Sequence, residues 1–170
     1  MFFKCTICLS FVVNFYNMMD IKSQIEALYD FALDNPQNEY KIIDIFRIEA
    51  DFALKIQAAT GIEVNGFIVS IDNYSIIHTL LRHGNPAKEA KHGQIAITKS
   101  DFIRLVDLLN APDTIRLDIK TYKNGVVKET LIFSKEYEHY YVVAKEIRRV
   151  SKKGKTNRLI LQTMYIRKKA

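Results

Sequence analysis

An α+β fold, with N-terminal helices followed by a four-stranded antiparallel β-sheet, is what this sequence predicts. Three observations carry that prediction. Apolar residues recur at helical spacing in "DIKSQIEALYDFALD" near the start. From Ile115 onward they alternate with polar ones at a period of two. Asn124-Gly125 then sits inside the alternating region as a hairpin signal. With 170 residues, 48% of them hydrophobic, the chain is long enough to bury a real core.

The elements follow in order. "MFFKCTICLSFVVNFYNMMD" is apolar with one lysine near its start. It lacks a small-residue cleavage site and is marginal in length for a membrane span, so residues 1–19 read as an apolar leader or an overlong start, with no stable membrane insertion expected. Residues 20–34 put Ile21, Ile25, Leu28, Tyr29 and Ala32 on one helical stripe, a core-packing face. "NPQN" breaks it, and residues 39–59 read as a longer helix with Asn38 as its cap and Gly61 just past its end. Residues 20–63 are thus expected to be an N-terminal helical part, ahead of a second unit over 64–170.

"EVNGFIVSID" reads as a short strand, and Asn73 as the cap of a helix through His83 that stops at Gly84. "GNPAKEAKHG" is a loop and "GQIAI" a short extended piece. "TKSD" resembles a capping box with Asp in place of Glu, opening a helix to about Leu109. Four strands follow, over about 115–122, 126–133, 140–150 and 158–166. A two-residue Asn-Gly turn would set Lys120 opposite Glu129, a favourable pair.

Composition narrows the function less than the order of charge does. The net charge is +6, but residues 145–170 carry ten Lys/Arg against one acid, Glu146, so the positive excess is all C-terminal. Such an excess is either a solvated basic end or a phosphate-binding surface. Cys5 and Cys8 form a lone CxxC without a second half, which makes a poor zinc site; no disulfide framework exists, which fits a reducing compartment. No Gly-rich phosphate loop or GxSxG motif is present.

The chemistry-bearing stretch is "IIHTLLRHG". His78 and His83, five residues apart on a helix, point about 140° away from each other and cannot share a metal as an i,i+4 pair does. His78 and Arg82 do share a face, and the guanidinium favours a neutral imidazole there, suited to a general base. His83 sits in the last turn, against the negative end of the helix dipole, which suits an acid. The plainer alternative is a helix end with two ordinary polar residues. His92 and His139 fall in polar loops and are assigned nothing.

"NYSIIHTLLRHGNPAKEAKHGQIAITKSDF", then the hairpin, then "LQTMY", resembles the phage-associated branch of the barnase–EndoU–colicin–RelE-like nuclease superfamily, over residues 64–166. The resemblance implies a metal-independent endoribonuclease of toxin or phage origin, with no cofactor, acting on RNA (tRNA included) in the cytoplasm of a bacterial or phage-infected cell. It further implies an immunity or antitoxin partner. It carries over four positions: His78 and His83 on the helix, Arg148 on the third strand and Thr163 on the fourth. Tyr165 shares a strand face with Thr163 and joins them. RNA cleavage through the 2′-OH needs a base, an acid and a cation for the charge growing on phosphorus. The histidines suit the first two roles and Arg148 the third, with Thr163 donating to a phosphoryl oxygen. Arg82, Arg149, Lys152, Lys153 and Arg158 are the expected backbone contacts, and Tyr165 or Tyr141 the expected base-stacking ring. A non-catalytic RNA-binding module and a phage structural or interaction protein are the alternatives.

Overall fold

A computed structural model describes residues 6–35, 39–149 and 156–169. The elements are α1 (Thr6–Asp34), β1 (Ile42–Arg47), α2 (Ala50–Thr60), β2 (Ile68–Asp72), α3 (Asn73–His83), α4 (Pro86–Ala90), β3 (Gln94–Ile95), α5 (Lys99–Asn110), β4 (Thr114–Thr121), β5 (Val127–Glu136), β6 (Tyr140–Arg148) and β7 (Arg158–Arg167). Among the described residues no helix is long and apolar enough to cross a membrane.

The fold is α+β, and β4 to β7 form the expected antiparallel meander. The sheet is larger than four strands, however. Among the described residues it has seven, in the order β1-β2-β7-β6-β5-β4, with the two-residue β3 also on β7. β2 runs parallel to β7 and β1 antiparallel to β2. Residues 42–47, expected inside a helix, are therefore an edge strand. The run Ile-Ile-Asp-Ile-Phe is rich in β-branched residues, and pairing with β2 overrides the helical spacing that the sequence shows. Asn38 lies outside the described residues. The real helix starts after Glu49 and ends at Gly61, whose φ of 75° is the left-handed stop that glycine supplies.

One face of the sheet is covered and holds the core. Ile25, Leu28 and Ala32 of α1 are buried on the predicted stripe, together with Phe102, Leu105 and Leu109 of α5. They pack on Leu131, Phe133, Val143, Leu161 and Met164 of the sheet. Each of the larger side chains among them contributes roughly 1.5–3 kcal/mol by leaving water. At the start of α5, the Asp101 carboxylate accepts from the Thr98 N–H at 2.8 Å and from the Thr98 hydroxyl at 2.7 Å, so the Asp-for-Glu box is formed.

The hairpin corrects the expected register. Tyr122 N–H donates to Val126 O at 2.8 Å, so the loop is the three residues Lys123, Asn124 and Gly125. A two-residue Asn-Gly turn needs positive φ at both positions. Here only Gly125 has it, at 79°, and no non-glycine among the described residues does. Lys120 consequently faces Lys128, and Ile119 faces Glu129.

α3 begins directly where β2 ends. Asp72, rather than Asn73, is its cap: the carboxylate accepts from Ser75 N–H at 2.7 Å, and the Ser75 hydroxyl accepts in return from Asp72 N–H at 3.3 Å. Gly84 ends the helix at a φ of −92°, so it is not a left-handed stop. Its need is space, because a Cβ there would lie 2.6 Å from Leu80 O. "GNPAKEAKHG" is more than a loop, since Asn85 caps the short α4 by accepting from Lys88 N–H at 3.0 Å.

Lys145, one of the ten C-terminal cations, is wholly buried, and its ammonium donates to Ser70 O at 2.8 Å. Burial holds this amine down at about 7, with Asp72 pulling the other way. The unfolded chain keeps the proton to about 10.4. The folded chain binds fewer protons between these values, so stability rises with pH from about 7 to about 10 and is lowest below 7. Lys145→Met is expected to stabilise the protein at about pH 6 by on the order of a few kcal/mol and to flatten that rise. Urea unfolding on both sides of neutrality measures this; a variant less stable in acid would mean that the bond to Ser70 outweighs desolvation.

Candidate active site

The sheet face away from the core is built by strand alternation and register. Arg148 pairs with Arg158, Glu146 with Ile160, Ala144 with Thr163 and Val142 with Tyr165, so these side chains share one face. Thr130 pairs with Glu146, which adds Thr130 and Lys128 of β5 to it. α3 packs along β7 and borders this face.

His78 and Arg148 come together. Both line a cleft of about 350 Å³ with Tyr40, Asp72, Tyr74, Lys128, Glu146 and Gln162. The Lys128 ammonium lies 2.8 Å from the Glu146 carboxylate, and Arg148 Nε lies 3.5 Å from it. Burial pushes the Glu146 carboxyl up, but Lys128 and Arg148 outweigh it and hold it below the usual range. Lys128 and Arg148 are thus matched in number by Glu146 and Asp72, but Asp72 is only 5% exposed and is engaged by Ser75 N–H and the Tyr40 hydroxyl. Partial burial lowers the pKa of His78, and Arg82, Lys128 and His83 lower it further. The direction anticipated from Arg82 is correct, although burial is the larger cause.

His83 belongs to a second cluster one and a half turns along α3. Its Nδ1 is 2.9 Å from a carboxylate oxygen of Glu89, a residue only 1% exposed on α4. A buried carboxylate at Nδ1 fixes the ring's orientation and keeps the proton there, leaving Nε2 as the nitrogen for proton exchange. The Tyr165 ring sits 5.7 Å from the imidazole, and Arg167 donates to the Tyr165 hydroxyl at 3.2 Å. Arg82, His83, Lys88 and His92 line a shallow cavity of their own here.

Thr163 lies on β7 between the two clusters, but its hydroxyl is buried and makes no hydrogen bond among the described residues. Arg149 is drawn away to Glu129 and lines a separate cavity with Tyr122. Arg158 is on the open face, where it pairs with Asp44 and donates to the Ser70 hydroxyl at 2.7 Å. Lys152 and Lys153 lie outside the described residues. Tyr141, expected as a possible stacking ring, is 3% exposed and belongs to the core, its hydroxyl donating to Asp101 at 3.2 Å. It has no face to offer a base.

Four residues near the histidines were not singled out from the sequence. Tyr74 had a readable signal, since Tyr74, His78 and Arg82 are spaced four apart and share one helix stripe. Glu89, Lys128 and Tyr40 had none, because tertiary packing alone brings them in.

The phage-Barnase-EndoU-ColicinE5/D-RelE like nuclease 3 model matches residues 49–170, from just before α2 to the last residue. No match was found among curated proteins or among solved structures. A model that spans this much of the sequence, including α3 and the whole meander, fixes the relationship: the chain belongs to the phage-Barnase-EndoU-ColicinE5/D-RelE like nuclease 3 family.

Proposed function

We propose that the protein is a metal-independent endoribonuclease of phage or toxin origin that works in the cytoplasm. The observation that supports this best is His78 beside Arg148 and Lys128 in one cleft. In the reaction His78 removes the 2′-OH proton as that oxygen attacks phosphorus. The bond from phosphorus to the 5′ oxygen breaks, and His83 gives that oxygen a proton. The products are a 2′,3′-cyclic phosphate and a 5′-OH. Arg148 and Lys128 offset the charge that gathers on the phosphoryl oxygens. Glu89 accepts from His83 Nδ1 and aims Nε2 at the leaving oxygen, and the imidazolium gives up its Nε2 proton in the acid step. Thr163 joins only if its side chain turns toward the phosphate, and Tyr165 acts by bracing His83. Arg82 and Arg158 are backbone contacts in this reading; RNA, tRNA included, is the substrate, and an immunity or antitoxin protein is the expected partner.

A non-catalytic RNA-binding module is the second reading. One observation favours it: the two histidines line different cavities.

Cleavage of tRNA and mixed RNA in the presence of EDTA separates the two. His78→Ala and His83→Ala are each expected to lower the rate by about 10²–10⁴ with the fold intact by circular dichroism. Salt-sensitive binding without fragments from the native protein would leave the binding module standing.

Glu89→Gln keeps the size of the side chain and removes the charge. Its expected effect is a fall in kcat of about tenfold or more, with KM little changed. An unaltered kcat would remove Glu89 from the mechanism.

The pH profile tests His78 as the base. Its lowered pKa places the acid limb of kcat/KM below the range of a free imidazole, about 6.5. Taking away a neighbouring positive charge makes the imidazolium easier to form. Arg82→Ala is therefore expected to move the limb to higher pH, and a limb that stays in place or moves down would contradict the assignment.

A further inference from the structure

The cleft around His78 has a wall that the reaction above does not use. Tyr74 lies one helical turn before His78 on α3, on the same stripe. Tyr40, from the segment ahead of β1, stacks against it. The ring centroids are 5.6 Å apart and the planes 27° from parallel, yet Tyr40 is 50% and Tyr74 44% exposed. Two rings that stack while remaining this open leave aromatic area in water at the edge of the cleft that holds His78 and Arg148.

The pair is held in place. The Tyr40 hydroxyl donates to the Asp72 carboxylate at 3.3 Å. Asn73 is fully buried and clamps the chain on both sides of Tyr40. Its side-chain oxygen accepts from Lys41 N–H at 2.9 Å, its amide donates to Glu39 O at 2.8 Å, and its backbone N–H donates to Lys41 O at 3.1 Å. Asp72 and Asn73 are the residues that start α3, so one short turn fixes Tyr40, Tyr74 and His78 relative to one another. A surface fixed in advance loses little freedom when a flat group settles on it.

We propose that Tyr40 and Tyr74 form a stacking subsite for an unpaired nucleobase beside the phosphate held at His78. The inference rests on the RNA reading and deepens it, because it requires a substrate that is single-stranded at that point. A base inside a duplex has both faces covered, whereas a loop nucleotide can be splayed onto an aromatic ring. The cleft, at about 350 Å³, is near the lower end for small-ligand sites and suits one nucleotide. Tyr40 precedes the family-matched residues 49–170, so half of the subsite comes from the segment before them.

The test uses the full chain and a short fluorescein-labelled oligoribonucleotide with a 2′-O-methyl backbone, which cannot be cut through the 2′-OH. Anisotropy titrations at fixed salt compare the native protein with Tyr74→Ala and Tyr74→Phe. Tyr74→Ala is expected to weaken binding about tenfold, while Tyr74→Phe, which keeps the ring, stays near the native affinity. In a series of the same oligonucleotide with one abasic position moved along it, one position should weaken native binding by a similar factor and cost Tyr74→Ala nothing more. Equal affinities for native and Tyr74→Ala, or a loss spread evenly over all abasic positions, overturn the stacking subsite and leave the RNA reading in place. A native protein that does not bind the oligonucleotide at all overturns both.

Discussion

The structure depends on the turn at Asp72, where a strand becomes a helix with no connecting loop. β2 pairs with β7 through only three residues, Ile68 to Ser70, in parallel register. The Asp72 carboxylate then captures Ser75 N–H, and the chain turns into α3. From there α3 packs against β7, and β3 covers the far end of β7 at Arg167 and Ile166. Had β2 continued as a strand, it would have presented alternate residues to the two faces of the sheet. As a helix it presents a stripe, and the stripe is Tyr74, His78 and Arg82. A capping interaction worth about 1 kcal/mol in ordinary proteins thus decides what lies beside the cleft.

Charge illustrates how a sequence tally differs from a surface. The ten C-terminal cations suggest a broad basic patch. In the structure Lys145 is inside, Arg149 is taken by Glu129, Arg158 by Asp44 and Lys169 by Glu136. Arg148 reaches the cleft that holds His78, where it shares Glu146 with Lys128 of β5. Exposed, paired charges contribute little and are screened by salt. In a partly enclosed cleft the cations that line it act over a few ångström, where a reacting phosphate would sit.

Much of this was legible beforehand, for reasons that differ between elements. The meander was readable because its period-two alternation is local, and α5 because Thr98 and Asp101 lie within four residues of each other. β1 was not, because "IIDIF" supports a helix or a strand equally until β2 is beside it. The hairpin slipped by one residue because Asn124 does not take the left-handed conformation that its type allows. Around the site, the histidines and Arg82 could be named from spacing. Glu89 could not, since nothing in "NPAKEAKHG" marks one glutamate as the buried one. Lys128 lies fifty residues from His78 and meets it only through the β5–β6–β7 register.

The two histidines are separated by the geometry of the helix that carries them. Five residues of helix displace His83 from His78 by about 7.5 Å along the axis and turn it by about 140°. On an isolated helix that would place them on different sides. Here the sheet beside the helix compensates: Lys128, Glu146 and Arg148 form a cleft around the first, while Tyr165 and Glu89 hold the second over the end of the same β7 strand. His83 still acts on His78 electrostatically, which helps keep the latter neutral. The two rings are therefore successive stations along one strand, and the proposed reaction needs one phosphate to lie between them. A nucleic acid following β7 would meet an aromatic platform, a neutral imidazole and then a carboxylate-braced imidazole, in the order in which α3 carries them.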